Sequence, residues 1–347
     1  MTSPVLEKAM ESVFAGIDVG AKELVLELRK GGAAMAATTF RNSAADRTRL
    51  VRKLAKIPSV TVCLEATGTY SLDLSIALFD AGLRVMVVNP QASHNFAKVL
   101  GKHSKTDKVD ASTLAEYAER MPFVLWQRPT DAQLTLRAFS RRIRALTDDR
   151  AAAKNQLHAT DFNQHAPKEV LKDLNLAITQ LDKRITHLTK EAVALIKKHP
   201  TFAADFDLLI SVKGIAETSA IAILGEISLL PKGLRGPQWV KFSGLDPKQF
   251  RSGTSVNRKT CISKAGNKHL RAALYMPALS AKTHEPHVKA FAEHLAARGK
   301  TPMQVVCAVM RKLLLSIHGM LTARQPFDGK LFYVIPEQTT PKTANIG

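Results

Sequence analysis

The chain has 347 residues, of which 45% are hydrophobic and 23% are charged. This composition is that of a globular protein with more than one domain, and it excludes a disordered, collagen-like or disulfide-scaffolded chain. Lysine and arginine number 50 against 30 aspartate and glutamate, which gives a net charge of +20. We therefore expect a polyanionic partner, with nucleic acid as the first candidate and an anionic membrane as the second.

A membrane protein is not expected, because no apolar run approaches the roughly 20 residues that span a bilayer. The first residues also lack the pattern of a signal peptide. The three cysteines, Cys63, Cys261 and Cys307, have neither metal-ligand nor disulfide spacing, and each lies in an apolar stretch. We expect three buried thiols, which fits a reducing cytoplasm.

Short β-branched runs alternate with amphipathic stretches between residues 10 and 128. An apolar run that ends in Asp18 begins the series, and Ser43 is a candidate helix N-cap. The pattern predicts strands over residues 13–19, 24–28, 60–65 and 84–88, and helices over 44–55 and 70–81. This alternation is typical of an α/β domain with a mostly parallel core.

Residues 129–200 show almost no strand signal and are predicted to form a helical spacer. Apolar residues recur at three- and four-residue spacing on both sides of Pro167, and only Arg150 interrupts the first half. The second half carries an unbroken heptad seam, formed by Leu171, Leu174, Ile178, Leu181, Ile185, Leu188, Ala192 and Leu195. Two helices are predicted, and the sequence leaves open whether they form a hairpin within one chain or a coiled coil between protomers.

Residues 201–335 are predicted to form a basic, mostly helical domain, followed by a polar and disordered tail over 336–347. Residues 209–220 resemble a helix-hairpin-helix, whose turn at Lys213 and Gly214 would present backbone N–H groups to a phosphate. A plain structural turn is the alternative.

A predicted loop over residues 250–259 combines hydroxyl groups, a flexible glycine and three cations. Phosphate binding and phosphoryl transfer both need such groups, although a solvated polar loop has the same composition. The candidate residues in this loop are Arg251, Ser252, Gly253, Arg258 and Lys259. Further candidates for nucleic-acid contacts follow at Lys264, Lys268 and Arg271.

Four carboxylates stand out from the basic background. Asp18 and Glu65 each end a predicted strand, and ligand sites in α/β sheets lie beyond the carboxyl ends of strands. Asp107 and Asp110 are three residues apart at the start of a predicted helix and therefore share one face. Four acids that converge would suit Mg²⁺ or Mn²⁺, whereas four unrelated surface acids are the alternative.

The order and spacing of these motifs resemble transposases of the insertion sequence one-hundred-and-ten family. In the N-terminal half, the segments that carry the resemblance are 17–20, 63–68 and 105–111, and in the C-terminal half they are 244–247, 252–255 and 262–267. The resemblance implies an RNase H-like, RuvC-like domain in which Asp18, Glu65, Asp107 and Asp110 form an Asp-Glu-Asp-Asp metal site. It also implies a C-terminal transposase domain in which Ser252 is the nucleophile, with Ser255 as the second choice.

The resemblance has further consequences for partners. It implies a prokaryotic enzyme that recombines DNA on the nucleoid, a structured guide RNA that pairs with donor and target DNA, and a homo-oligomer that is a dimer or a tetramer. Because the serine and the acids lie in different predicted domains, the mechanism requires them to meet at one phosphate. A junction-resolving endonuclease that uses water, and a non-catalytic nucleic-acid-binding protein, are the alternative functions.

Overall fold

The computed structural model describes residues 12–102, 106–252 and 256–336. The chain divides into two compact units, one ending at Arg128 and the other beginning at Pro129. The first is a mixed α/β unit and the second is mostly helical, which confirms the predicted fold class in outline.

The first unit contains one six-stranded sheet with four helices. Its strands are β1 (Val13–Val19), β2 (Glu23–Lys30), β3 (Ala33–Ala34), β4 (Thr38–Arg41), β5 (Thr61–Glu65) and β6 (Arg84–Val88). Its helices are α1 (Ala44–Ala55), α2 (Thr69–Asp80), α3 (Pro90–Val99) and α4 (Asp107–Arg120). Every strand and helix predicted for this region is present, whereas β3, β4 and α3 were not predicted.

The sheet is mixed, with the predicted parallel core of three strands and antiparallel strands beside it. The strand order is β3-β2-β1-β5-β6, and β4 pairs with β2. Strands β1, β5 and β6 are parallel, but β2 is antiparallel to β1 and to β4. Only three residues connect β1 to β2, and so short a connection permits only an antiparallel pair.

Helices cover both faces of the sheet. Leu50 of α1 and Leu74 of α2 are fully buried against one face, in a cluster that includes Ile17. On the opposite face Leu114 of α4 packs with Cys63. The side chains of one strand therefore alternate between two helical layers, and the residues that share a face with Cys63 lie under α4.

The second unit is built around one hydrophobic core. Its helices are α5 (Asp131–Asp161), α6 (Lys168–Lys198), α7 (Pro200–Ile210), α8 (Glu217–Ile227), α9 (Gly236–Ser243), α10 (Lys268–His284), α11 (Pro286–Ala297), α12 (Pro302–Ala323) and α13 (Gly329–Phe332). Two antiparallel strands, β7 (Pro247–Ser252) and β8 (Val256–Ile262), interrupt the helices.

The two long helices of the predicted spacer pack against each other within the chain. Arg150, which interrupts the apolar pattern of α5, forms a 2.6 Å ion pair with Asp182 of α6. The seam of α6 is buried at Ile185 and Ala192, whereas Leu171, Leu174 and Ile178 are half-buried. A hairpin within the chain is thus observed, and a coiled coil between protomers stays a prediction.

Two further expectations concern burial. Cys63 is buried and Cys307 is half-buried, but Cys261 is exposed on β8, so the prediction of three buried thiols is wrong for this residue. The apolar residues around Cys261 belong to a two-stranded sheet rather than to a core element. Helix α12 is long and apolar enough to cross a membrane, but many of its side chains fill the core of the second unit, as in the core helix of a globular protein.

Candidate carboxylate site

A glycine in the middle of β1 lets α4 lie directly on the sheet. A Cβ at Gly16 would overlap the carbonyl oxygen of Ala111 and the amide nitrogen of Ala115, and it would lie 2.9 Å from the Cα of Ala115. Only glycine permits this approach, because the atoms it meets belong to the backbone of the helix. The close approach at Gly16 was not predicted, although an isolated glycine in a buried strand is a signal of close backbone approach.

The same strand brings two of the predicted acids to neighbouring positions. The parallel strands β1 and β5 pair Ile17 with Leu64. Asp18 and Glu65 are the next residues of the two strands, and each is half-buried at the carboxyl end of its strand. Asp18 is two residues beyond Gly16 and therefore lies on the face that α4 covers.

The other two predicted acids lie in the first turn of α4. Thr106 caps this helix by accepting a hydrogen bond from the backbone N–H of Val109 at 3.3 Å. Asp107 and Asp110 occupy the first turn, where a carboxylate interacts favourably with the positive end of the helix dipole. Because α4 packs on β1 and β5, its first turn brings both acids towards Asp18.

The four negative charges meet at Asp18. Burial is the main reason that the pKa of Asp18 rises from 3.8 to about 6. The negative charges of Asp107, Asp110 and Glu65, in decreasing order, raise this pKa further, and a backbone hydrogen bond from Val19 opposes the rise. A carboxyl group surrounded in this way gains from a nearby cation, which would relieve the repulsion.

The donor chemistry fits a hard divalent cation, since all four side chains offer carboxylate oxygens. In the described part of the chain, however, no three His, Cys, Asp or Glu side chains lie close enough together to hold a metal ion. The rise in the pKa of Asp18 and the separation of the carboxylates are compatible, because Coulomb interactions reach several ångströms beyond the length of a coordination bond. The residues are suitable as ligands, and side-chain rearrangement would be needed for them to chelate one ion.

A serine that the sequence analysis did not single out holds one of the acids. Ser93 of α3 is buried and donates a 2.6 Å hydrogen bond from its Oγ to Oε2 of Glu65. Asn89 caps α3 by accepting a hydrogen bond from the N–H of Gln91, and Pro90 occupies the first turn. Nothing in the local sequence signals the contact, because Ser93 and Glu65 are 28 residues apart.

The predicted serine loop differs from the structure in its secondary structure. Backbone pairs join Ser252 to Val256 and Arg251 to Asn257, so the segment predicted as a loop is largely a β-hairpin. Arg258 and Lys259 belong to β8. Gly253 and Ser255 lie outside the described residues. Alternating residues on either side of a glycine-containing turn favour a hairpin, and this signal was missed.

The turn between α7 and α8 has a structural reason for its glycine. Gly214 has φ +116°, and a Cβ there would come within 2.7 Å of the backbone nitrogen of Ala281 in α10. Lys213 beside it is exposed. The turn therefore packs closely on α10, while its cation faces solvent.

The last three candidate cations surround the start of α10. Lys268 is the first residue of this helix and Lys264 is exposed just before it. Arg271 donates a 2.8 Å hydrogen bond to the carbonyl of Ser243 and thereby ties α10 to the end of α9.

A buried acid that sequence analysis missed joins three helices of the second unit. Glu226 of α8 is 2% exposed and accepts hydrogen bonds from Nε and a terminal nitrogen of Arg141, at 2.8 and 3.1 Å. Asn267, the N-cap of α10, donates a third at 2.7 Å. Burial alone would raise the pKa of Glu226, but these hydrogen bonds and the charge of Arg141 hold it below its ordinary value.

Comparisons with known proteins identify the family of the chain. One family model for the DEDD transposases of IS110 elements, described as a transposase, matches residues 15–160. A second, described as the transposase IS116/IS110/IS902 family, matches residues 206–293. Both descriptions define a class of enzymes that act on DNA.

Individual relatives point the same way. The pilin gene-inverting protein of Moraxella bovis is 31% identical over 277 residues, which cover 77% of this chain and 82% of that protein. A transposase for the insertion sequence element IS1328 of Yersinia enterocolitica is 24% identical over 250 residues, or 66% of this chain and 73% of that protein. Among solved structures, T. thermophilus RuvC in complex with a Holliday junction substrate matches 33% of this chain and 98% of that chain, at 18% identity and a TM-score of 0.25.

The chain belongs to the IS110 family of transposases. This confirms the family resemblance drawn from the sequence motifs.

Proposed function

We propose that this transposase is a site-specific DNA recombinase whose first unit is an RNase H-like nuclease unit with an Asp-Glu-Asp-Asp site. The meeting of four negative charges at Asp18 supports the proposal, because such a cluster is costly unless it serves a cation. DNA is the substrate, in keeping with the transposase family to which the chain belongs.

Asp18, Glu65, Asp107 and Asp110 would hold Mg²⁺, or Mn²⁺ in its place. Such an ion neutralises the developing charge on a phosphodiester and lowers the pKa of an attacking hydroxyl group. The protein supplies the positions of the ligands. Gly16 allows the first turn of α4 to approach β1, and Ser93 orients the carboxylate of Glu65.

Ser252 is the proposed nucleophile. Its Oγ would attack the phosphorus of one DNA strand, so that a serine–phosphate ester forms and the bond to the leaving sugar oxygen breaks. The serine hydroxyl gives up its proton and the departing DNA hydroxyl gains one. The ester conserves the phosphodiester bond energy, so that rejoining requires no external energy source.

The neighbouring cations Arg251, Arg258 and Lys259 are proposed to neutralise the phosphate during this step. The reaction further requires the serine and the four acids to reach the same phosphodiester, whether they come from one chain or from two.

A guide RNA and a homo-oligomer complete the proposal. The net charge of +20 suits simultaneous contact with RNA and DNA, and the family resemblance implies that the sequence is chosen by RNA pairing. The half-buried distal seam of α6, at Leu171, Leu174 and Ile178, is a candidate contact between protomers of a dimer or tetramer.

The nucleophile is tested by trapping the serine ester. The protein that co-purifies with its RNA is incubated with Mg²⁺ and a suicide DNA substrate, and covalent protein–DNA adducts are separated on denaturing gels. Ser252→Ala should abolish the adduct and strand exchange while nucleic-acid binding persists. An adduct that survives in Ser252→Ala and disappears in Ser255→Ala would move the assignment to Ser255, and cleavage without any adduct in the wild type would favour a junction-resolving endonuclease.

Two matched measurements test the metal and the guide. Asp18→Asn, which removes a charge with little change of shape, should abolish both adduct and exchange, as should excess chelator. Full activity in either case would refute the metal site. Site-specific recombination by RNase-treated protein in RNA-free buffer would refute the guide.

A further inference from the structure

A groove of about 190 Å³ lies between α5, α8 and α10 of the second unit. Its polar lining includes Arg141, Arg144, Thr147, Thr218, Ser219 and His269. The side chains of Arg141 and Arg144 are 42% and 47% exposed, so that both are partly accessible to solvent. The opposite wall includes the exposed side chain of Met276.

The groove lies in a positive electrostatic environment. Burial lowers the pKa of His269, and the charges of Arg141, Lys268 and Arg144 lower it further while Glu226 opposes them. Burial also lowers the pKa of Arg137, one turn before Arg141 on α5, and the charge of Arg141 adds to this effect. The arginines of α5 therefore disfavour a positive charge on His269 of α10.

Two acids face this cluster, and both are already engaged. Glu226 is buried and accepts hydrogen bonds from Arg141 and Asn267. Asp148 forms an ion pair with Arg144 at 2.9 Å, on an exposed face of α5 where such a pair contributes little. Within the described ranges, no acid forms an ion pair with Arg137 or Lys268.

Glu226 also fixes the orientation of Arg141. The bidentate contact uses two of the five donors of this guanidinium and leaves the other donors available. A preoriented guanidinium loses less side-chain freedom on binding than a mobile one. The hydroxyl groups of Thr218 and Ser219, at the start of α8, add neutral donors to the same groove.

We propose that the groove between α5, α8 and α10 binds the phosphodiester backbone of a nucleic-acid strand. Guanidinium and hydroxyl donors match the phosphate oxygens, and the apolar wall at Met276 suits a sugar face. The contact carries no sequence information and involves none of the proposed catalytic residues. It extends the nucleic-acid interface beyond the proposed function, to helices that the serine hairpin does not include.

The test neutralises Arg144, a cation of the groove that can be changed without uncovering a buried charge. Arg144→Gln removes one partner of an exposed ion pair between residues four apart. Lys289→Gln is the matched control, because Lys289 forms the same kind of exposed pair with Glu293, also four residues away.

Binding is measured by fluorescence anisotropy in EDTA, over a range of salt concentrations, with a labelled DNA duplex and with a labelled single-stranded RNA. The groove variant should weaken binding and lower the slope of log affinity against log salt by about 0.9 on duplex DNA or about 0.7 on single-stranded RNA, the loss of one phosphate contact. The control variant should keep the wild-type slope.

A slope that falls with DNA alone, with RNA alone or with both supports the groove and identifies the strand that it binds. The same slope in the groove and control variants, with both nucleic acids, would overturn the proposal. Thermal melting checks that each variant folds, and Arg144→Met, with an expected change of the same size, serves if Arg144→Gln does not fold. Because the assay contains no divalent metal and measures no cleavage, its result stands whether or not the serine adduct forms.

Discussion

The contact between Gly16 and α4 makes the carboxylate site sensitive to a single methyl group. In Gly16→Ala the new Cβ would overlap the backbone of α4 at Ala111 and Ala115, closer than real Cβ atoms approach other atoms. Backbone atoms cannot rotate aside as a side chain can. The helix must therefore withdraw from the sheet, and its first turn carries Asp107 and Asp110 away from Asp18.

The expected magnitudes follow from the size of this overlap. Overpacking of a filled interior destabilises a protein by about 1–3 kcal/mol. For a unit of this size, roughly 4 °C is lost per kcal/mol, so that the melting temperature of the first unit should fall by about 4–12 °C. The helix must withdraw by on the order of 1 Å, and a misplacement of this size lowers a catalysed rate about 100-fold.

The assay compares melting temperature and the rate of strand exchange in the wild type and three variants. Gly319→Ala is the matched control, because a Cβ at Gly319 meets nothing within 4 Å. It should keep the rate and leave stability unchanged or slightly higher. Adding Ala115→Gly to Gly16→Ala should not restore the rate, because the clash involves backbone. Wild-type stability and rate in Gly16→Ala would refute the reasoning.

Three further predictions follow from the hydrogen bonds and charges of the two units. Ser93→Ala should lower the exchange rate about 10-fold and raise the Mg²⁺ concentration needed for half-maximal rate. The control Ser75→Ala removes a buried hydroxyl group that is bonded to its own helix and should change neither quantity. Equal effects of the two substitutions would contradict a positioning role for Ser93. The pKa of Asp18 in the folded protein, about 6, exceeds its ordinary value of 3.8, so the metal-free protein holds this proton longer than the unfolded chain and loses stability as the pH rises from about 4 to 6. Asp18→Asn should therefore raise the melting temperature at pH 7 and flatten its pH dependence over this interval. A lower melting temperature at pH 7 would contradict this. Arg141→Gln leaves the buried Glu226 without its bidentate partner and should lower the free energy of unfolding by about 3–5 kcal/mol in a denaturant titration, so a loss below about 1 kcal/mol would show that the pair is not needed.

The parts of the fold that the sequence predicts well are those governed by neighbouring residues. The helix at 44–55 begins at Ser43, whose hydroxyl accepts a hydrogen bond from the N–H of Asp46, as a capping residue should. The strand ends at Asp18 and Glu65 follow from runs of β-branched and apolar residues that stop at an acid. Local chemistry decides these features, so a local pattern predicts them.

The features that were missed depend on distant partners. The hydrogen bond from Ser93 to Glu65 and the one from Asn267 to Glu226 join residues 28 and 41 positions apart. No periodicity or spacing signals such a pair. Arg150 illustrates the same limit, since it interrupts an apolar pattern and gains its explanation only from Asp182, 32 residues later on the facing helix.

The carboxylate site combines both kinds of information. The sequence predicts which acids lie at strand ends and which begin a helix, but it does not predict that a glycine in β1 lets the helix approach the strand. Without the close approach at Gly16, the acids of α4 would not add to the rise in the pKa of Asp18. The cluster opposes folding in the absence of a cation, and packing elsewhere in the first unit must offset this unfavourable free energy. Perturbed carboxylates that oppose folding are a mark of functional sites, and this cost supports the proposal that the four acids hold a cation.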